Sequence, residues 1–125
     1  MKDPRNPVCR TISGLLARIG DKWTVLVVTT LARGSKRFNE LRREIPSVSQ
    51  RMLTLTLRNL ERDGLVSRTV TPTIPPRVDY ELTELGHSLV RPLHAIEAWA
   101  LAHVEDIHSA QQAFDAEQDA KAEAA

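Results

Sequence analysis

The sequence predicts a mainly helical fold with one small β-hairpin, and three observations support this class. The first half contains four segments with apolar residues at helical spacing, bounded by Gly, Pro and capping residues. Two short segments of alternating character, separated by a Pro-rich turn, follow the fourth helix. A last apolar stripe then reaches about His108, so its helix would span roughly 37 Å, more than one small domain covers.

Size and composition are those of one globular domain. The chain has 125 residues, of which 42% are hydrophobic and 26% charged. It has no apolar run of the roughly 20 residues that cross a bilayer. Its start lacks the apolar segment of a signal peptide, so we expect a cytoplasmic protein without membrane contact. A single cysteine, Cys9, excludes an internal disulfide framework and a CxxC metal site.

The net charge of +1 conceals two regions of opposite sign. Residues 1–80 contain 15 Lys and Arg against 7 Asp and Glu, whereas residues 81–125 contain 2 against 9. This asymmetry fits a polyanion-binding face with a separate acidic region. Two solvated surfaces of opposite sign explain the charge alone equally well, so the position of the basic residues in the fold has to decide.

The first two helices are predicted at Cys9–Ile19 and at Lys22–Arg33. Asp21 fits as the N-cap of the second helix and Gly34 as its end. The many β-branched residues of the second segment also fit a strand. The length between Asp21 and Gly34 favours a helix.

The third and fourth helices, Asn39–Glu44 and Gln50–Asp63, are separated by a short Pro-containing connection. Ser47 and Ser49 both fit as the N-cap of the fourth helix, and Gly64 supplies its left-handed end. Two helices joined by such a short turn are typical of a helix-turn-helix.

A β-hairpin follows directly and completes a winged helix-turn-helix. Its predicted strands are Leu65–Thr71 and Arg77–Thr83, joined by a turn stiffened by two prolines. Thr83 then caps the last helix. We place the winged domain, including its first and last helices, at 1–108, and residues 109–125 form an acidic Ala/Gln-rich tail, either frayed helix or disordered.

Three segments resemble the HxlR-type regulators, a branch of the MarR-like winged-helix proteins. They are IGDKWTVLVVTTLARGSKRFNELRREIP at 19–46, VSQRMLTLTLRNLERDGLVSRTV at 48–70 and PPRVDYELTELGHSL at 75–89. The resemblance covers about two-thirds of the chain, in order and without gaps. It implies a DNA-binding transcriptional regulator, a repressor in preference to an activator, that acts as a homodimer on a roughly palindromic operator.

The fourth helix is the predicted reading element. Leu53, Leu57 and Leu60 fall on one side of a helical wheel and should face the core. For base edges in the major groove we select Gln50, Arg51, Thr54 and Leu55. Phosphate or groove-edge candidates are Lys36, Arg37, Ser47, Ser49, Arg58, Arg68 and Arg77. Leu55 departs from the family, in which a polar residue is usual at this position.

The resemblance also implies a dimer built by the first and last helices. The residues selected for that interface are Ile12, Leu15, Leu16, Leu89, Leu93, Ile96 and Leu101. Because dimer symmetry places two reading helices about one turn of DNA apart, a near-palindromic operator follows. The acidic end should then lie away from phosphate.

Cys9 is a candidate redox sensor, because some family members sense oxidants or electrophiles through an N-terminal cysteine. Arg5, Arg10 and a helix N-terminus would favour its reactive thiolate. The alternative is an inert, partly buried thiol. Its register is also one residue earlier than the commonest position, counted back from Trp23.

Other site types have little support in the sequence. The four histidines lack a completing carboxylate, so no metal and no cofactor are expected. Nucleophile motifs and Gly-rich phosphate loops are absent, so an enzyme is not expected. A small-molecule effector pocket lined by Trp23, Trp99 and Met52 is left open, although such residues are more often core. The rival function is a winged-helix protein-interaction module without DNA binding.

Overall fold

The computed structural model describes residues 5–124, which form five helices and three strands. In chain order these are α1 Pro7–Ile19, α2 Lys22–Leu31, β1 Lys36–Arg37, α3 Phe38–Glu44, α4 Gln50–Arg62, β2 Val66–Thr71, β3 Arg77–Leu82 and α5 Glu84–Ala124. The mainly helical class with a β-hairpin wing is confirmed.

Capping residues set the helix boundaries much as the sequence predicted. The Asp21 side chain accepts a hydrogen bond from the backbone N–H of Trp23, and α2 is a helix. Of the two serines before α4, it is Ser49 that caps, because its Oγ accepts from the Met52 N–H at 3.0 Å. Gly64 ends α4 with a φ of 76°, in the left-handed region that glycine adopts without strain.

The core lies between α2, α4 and the entry to the wing. Thirteen buried apolar side chains form it, including Val27, Val28 and Leu31 of α2 and Leu53, Leu57 and Leu60 of α4. The three leucines of α4 are at most 1% exposed, so the predicted core side of this helix is confirmed. Burial of this kind stabilises the fold by roughly 25 cal/mol per Å² of apolar surface.

The strands form one antiparallel sheet in the order β1–β3–β2. Val66 of β2 is opposite Leu82 of β3, and Thr71 is opposite Arg77, which fixes the hairpin register. The sequence analysis missed β1, whose two residues pair with Tyr80 and Asp79 of β3. Two residues are too few to show an alternating pattern, and only pairing with a distant strand makes them a strand.

The last helix is longer than predicted. It begins after Thr83, whose Oγ accepts from the Gly86 N–H at 3.1 Å, and it reaches Ala124 instead of about His108. The stretch 109–124 is helical because Ala, Gln and Glu have high helix propensity even where no apolar stripe marks them. The chain divides into two units, one ending at Leu93 and one beginning at His94. The functional division at residue 108 stays a prediction.

Candidate nucleic-acid interface

The exposed side of α4 is polar and cationic. Gln50, Arg51, Thr54 and Arg58 are exposed, and Leu55 is 51% exposed among them. The leucines on the opposite side hold the helix in the core, so its rotation about its own axis is fixed. All five predicted base-edge and groove-edge residues of α4 therefore belong to one surface, here called the reading face (Gln50, Arg51, Thr54, Leu55 and Arg58).

Arg51 and Arg58 of the reading face have no carboxylate partner in the part of the chain that the structure describes. Within residues 5–124, neither Arg51 nor Arg58 lies within ion-pair distance of a carboxylate. A guanidinium offers five N–H donors in a planar fork that matches phosphate or the O6 and N7 of guanine. These two side chains therefore keep their full donor set for an external acceptor.

Two exposed serines beside the N-terminus of α4 add hydroxyl donors next to the reading face. Ser49 uses its Oγ to cap the helix, and its hydroxyl hydrogen is left to donate outwards. Ser47 is also exposed, in the connection between α3 and α4. Ile45 and Val48 in the same connection are each 4% exposed, so the turn is held against the core. The two helices of the helix-turn-helix are thereby fixed relative to each other.

Two of the predicted phosphate contacts are engaged inside the protein. Lys36 Nζ lies 3.3 Å from Glu44 Oε2, with the lysine side chain only 19% exposed. Arg77 Nε lies 3.0 Å from Asp79 Oδ2 on the same strand. Arg37 and Arg68 are exposed. A phosphate has to compete with a carboxylate for Lys36 and Arg77, so Arg37, Arg58 and Arg68 are the stronger candidates.

The structure brings forward three residues that the sequence analysis did not select. Ile74, at the tip of the wing, is fully exposed. Arg42 and Arg43 of α3 are exposed and line a small cavity of about 400 Å³ together with Asn39 and Pro46. Their signal in the sequence was a pair of adjacent arginines directly before the turn of the helix-turn-helix.

The residues predicted for the dimer interface differ in how much of each side chain is exposed to solvent. Leu16 is 53%, Ile96 57% and Leu101 74% exposed. Ile12, Leu15 and Leu89 are half-buried. Leu93 is only 3% exposed because it packs within the core of its own unit, so it has almost no surface for a second protomer.

Two further candidate sites are located by the structure. Cys9, in the first turn of α1, is 6% exposed. Trp23 and Met52 pack against the core.

No group of three His, Cys, Asp or Glu side chains within residues 5–124 is arranged to hold a metal ion. The helices in that part of the chain are too short or too polar to cross a membrane.

Helix α3, the turn, α4 and the hairpin β2–β3 together define a winged helix-turn-helix protein with a cationic reading face. A family model described as HxlR-like helix-turn-helix matches residues 18–108, and the chain belongs to this family. It is therefore a transcriptional regulator with a helix-turn-helix and not an enzyme.

Two relatives in sequence are described as HTH-type transcriptional regulators, and a similar solved structure is described as a redox regulator. An uncharacterized HTH-type transcriptional regulator of Methanothermobacter thermautotrophicus is 53% identical over 81 residues, which are 65% of this chain and 62% of that protein. The chain thus spans less than two-thirds of that relative. The HTH-type regulator YtcD of Bacillus subtilis is 40% identical over 98 residues, 78% of each chain. The solved structure of the redox regulator HypR in its oxidized form is 43% identical, with a TM-score of 0.66, covering 74% of this chain and 95% of HypR.

Proposed function

We propose that this protein is a homodimeric repressor that reads a near-palindromic operator in the cytoplasm with two copies of α4. The observation that carries the proposal is the reading face, on which Arg51 and Arg58 lie opposite three buried leucines. Neither arginine has a carboxylate partner among the described residues. A helix held in this way by its apolar side presents its N-terminal residues to the major groove.

Within the reading face, different side chains have different tasks. Arg51 pairs with guanine and Gln50 with adenine, because their donor and acceptor patterns match those base edges. Thr54 and Leu55 contact thymine methyl groups. Arg58 reaches phosphate or the groove edge one to two turns further along the helix. Backbone contacts are assigned to Lys36, Arg37, Ser47, Ser49, Arg68 and Arg77.

The dimer surface is proposed on α1 and α5. Leu16, Ile96 and Leu101 are exposed apolar side chains that one protomer leaves in contact with water. Ile12, Leu15 and Leu89 extend the set, and Leu93 is omitted because it is already buried. A second protomer that covers these side chains removes apolar surface from water and places the two reading helices about one turn of DNA apart.

A dimer of this size would repress transcription by covering the DNA that it binds. A dimer bound across an operator that overlaps a promoter excludes polymerase sterically. Expression of a reporter from that promoter should rise when the gene for the regulator is removed and fall when it is restored. A reporter that falls on removal identifies an activator.

The central experiment is capture and sequencing of the DNA that the protein binds in its own genome. The enriched sites should contain an inverted repeat, and affinity for one such site should fall steeply with salt because counterions are released. A protein-interaction module without DNA binding is the rival function. It predicts no enriched motif and negligible duplex affinity even at low salt.

A second proposal is that Cys9 makes the regulator responsive to oxidants or electrophiles. Its support is the similarity to HypR, which is described as a redox regulator. Because Cys9 is 6% exposed, α1 has to open before the thiol reacts. Mass spectrometry after mild peroxide or quinone treatment should detect a modified Cys9, together with a change in operator affinity that the Cys9→Ala variant lacks. An unmodified thiol and unchanged affinity contradict this proposal.

A further inference from the structure

A second cationic surface lies on α3, just before the turn that leads to the reading helix. Leu41 of α3 and Ile45 directly after it are buried, so the rotation of this helix about its axis is fixed. Side chains on the opposite, exposed side are three or four residues apart and share one face. They line a cavity of about 400 Å³, here called the α3 cleft (Asn39, Arg42, Arg43 and Pro46).

Both guanidinium groups of the α3 cleft are available to an external anion. In the part of the chain that the structure describes, no carboxylate lies within ion-pair distance of Arg42 or Arg43. Each guanidinium carries five N–H donors and no acceptor. The exposed side-chain amide of Asn39 adds two more donors beside them. This donor set matches the oxygens of a phosphate group.

The acidic residues of α3 are engaged away from the α3 cleft. Glu44 Oε2 lies 3.3 Å from Lys36 Nζ, and Glu44 Oε1 lies 3.8 Å from Arg33 Nη2. Glu40 Oε1 accepts a hydrogen bond of 3.1 Å from the backbone N–H of Arg37. Neither Glu40 nor Glu44 lines the cleft. The lining therefore contributes two positive charges and no negative charge, and an anion that enters it meets no like charge from the lining.

The short connection to α4 keeps the α3 cleft close to the reading face. Pro46 is four residues before Gln50, so their Cα atoms are at most about 14 Å apart. The connection is held in place because Val48 is buried and its N–H donates to the Ile45 carbonyl at 3.1 Å. The major groove is about 12 Å wide and is bordered by phosphates. A cationic site at this distance from a helix in the groove meets the phosphates at its edge.

We propose that the α3 cleft binds a phosphate group of the DNA backbone, held between Arg42 and Arg43 with a hydrogen bond from the Asn39 amide. This contact rests on the proposed DNA-binding function. Because a phosphate carries no base identity, the contact raises affinity and fixes the position of α4 in the groove without reading sequence. A phosphate on a small soluble ligand has the same chemistry, so the test has to distinguish the two sources.

The first measurement is the salt dependence of duplex binding by the full chain, followed by fluorescence anisotropy. Arg42→Gln and Arg43→Gln should each reduce the slope of log K against log salt by about 1. Near about 0.15 M salt, each should weaken binding about fivefold. The loss should be equal on the captured operator, on its single-base variants and on unrelated duplex DNA. Unchanged slopes, or a changed base preference, overturn the proposal.

Two further variants separate the charge of the α3 cleft from other effects. Arg42→Lys keeps a positive charge at the same position and should retain the salt slope. The matched control is Arg91→Gln, which removes the charge of an exposed α5 arginine outside the cleft. It should leave the slope unchanged. If Arg91→Gln lowers the slope as much as Arg42→Gln does, the effect belongs to the net charge of the protein and the proposal is wrong.

Uncharged methylphosphonate groups locate the contact on the DNA. Replacement of single operator phosphates, one position at a time, should weaken wild-type binding at a set of positions in each half-site. In the double variant Arg42→Gln/Arg43→Gln, at least one of these positions should become insensitive, because its protein partner is gone. A double variant that keeps the full set of sensitive positions overturns the proposal.

Pyrophosphate is the probe for a soluble ligand, with binding measured by isothermal titration calorimetry. A wild-type Kd below about 1 mM that is lost in the double variant, together with unchanged duplex binding by that variant, identifies a soluble phosphate and overturns the DNA contact. A wild-type chain without affinity for any duplex contradicts the proposed function, and the contact with it. Wild-type binding to duplex DNA with an unaltered slope in the variants contradicts the contact alone.

Discussion

Gly86 packs against the backbone of Leu65, where the first turn of α5 crosses the start of the wing. A Cβ on residue 86 would collide with the carbonyl oxygen of Leu65 and lie 3.1 Å from Cδ2 of Leu82. Thr83 fixes the same junction, because its hydroxyl donates to the Gly64 carbonyl at 2.6 Å and accepts from the Gly86 N–H. The end of α4, the wing and α5 therefore meet at a point with no room for a side chain.

Gly86→Ala should lower the free energy of unfolding by about 1–3 kcal/mol, because the backbone of Leu65 has to move. Urea denaturation followed by circular dichroism measures the change. The control is Gly14→Ala in α1, where an added Cβ meets nothing within 4 Å. Alanine at that helical position should raise stability by up to about 1 kcal/mol. Equal effects of the two substitutions would contradict the close packing at Gly86.

Arg51 and Arg58 should contribute differently to DNA binding. Arg51→Ala should cost about 1–3 kcal/mol on the captured operator and relax the preference at one base pair. Arg58→Ala should weaken binding on all sequences alike and reduce the salt slope by about 1. Anisotropy titrations on the operator, on single-base variants and on unrelated duplex DNA distinguish the two patterns. Arg91→Ala is the control and should leave both affinity and salt slope unchanged.

Ser49 and Ser47 provide a test of the capping assignment. Ser49→Ala removes the side-chain bond to the Met52 N–H and should destabilise the protein by about 1 kcal/mol. Ser47→Ala should leave the unfolding free energy unchanged, since Ser47 is exposed and Ser49 is the N-cap. Thermal and urea unfolding of the two variants measure this difference. A larger loss in Ser47→Ala would mean that the cap is assigned to the wrong serine.

The proposed dimer surface is tested by introducing charge at its exposed leucine and isoleucine side chains. Leu16→Glu and Ile96→Glu should each shift the protein from dimer to monomer, because a carboxylate buried between protomers is strongly unfavourable. Sedimentation velocity over a range of protein concentrations measures the shift. Val70→Glu on the wing is the matched control, since Val70 is 47% exposed and lies outside the surface. A dimer that persists in both variants would place the interface elsewhere.

The features of the fold that could be predicted from the sequence are those that follow from local patterns of residues. The 3.6-residue period of Leu53, Leu57 and Leu60 identified both the core side of α4 and, by exclusion, its reading face. Features that depend on contacts between distant segments were not readable. The strand β1 exists only because β3 pairs with it, and the internal pairing of Lys36 with Glu44 brings together side chains of separate elements.

The candidate sites divide in the same way. The positions of Arg51 and Arg58 followed from one helix, whereas the ion pair between Arg18 of α1 and Asp63 at the end of α4 requires two helices to meet. The burial of Leu93 likewise follows from packing and not from its place in an apolar stripe. Contacts with DNA or with a second protomer lie outside the fold of a single chain. The residues assigned to them were therefore chosen by the exposure, charge and apolar character of their side chains.

Because the sheet order is β1–β3–β2, one part of the wing is paired on both sides of β3 and the other part on one side only. At its base, β3 has a neighbour on each side, through Tyr80 and Asp79 paired with β1 and through the register with β2. Beyond that point the hairpin is only two strands wide, up to the exposed Ile74. Under the proposed function, Arg68, which lies opposite Tyr80 in the three-stranded part, would contact phosphate from a braced position. Arg77 would contact it from the part that is two strands wide.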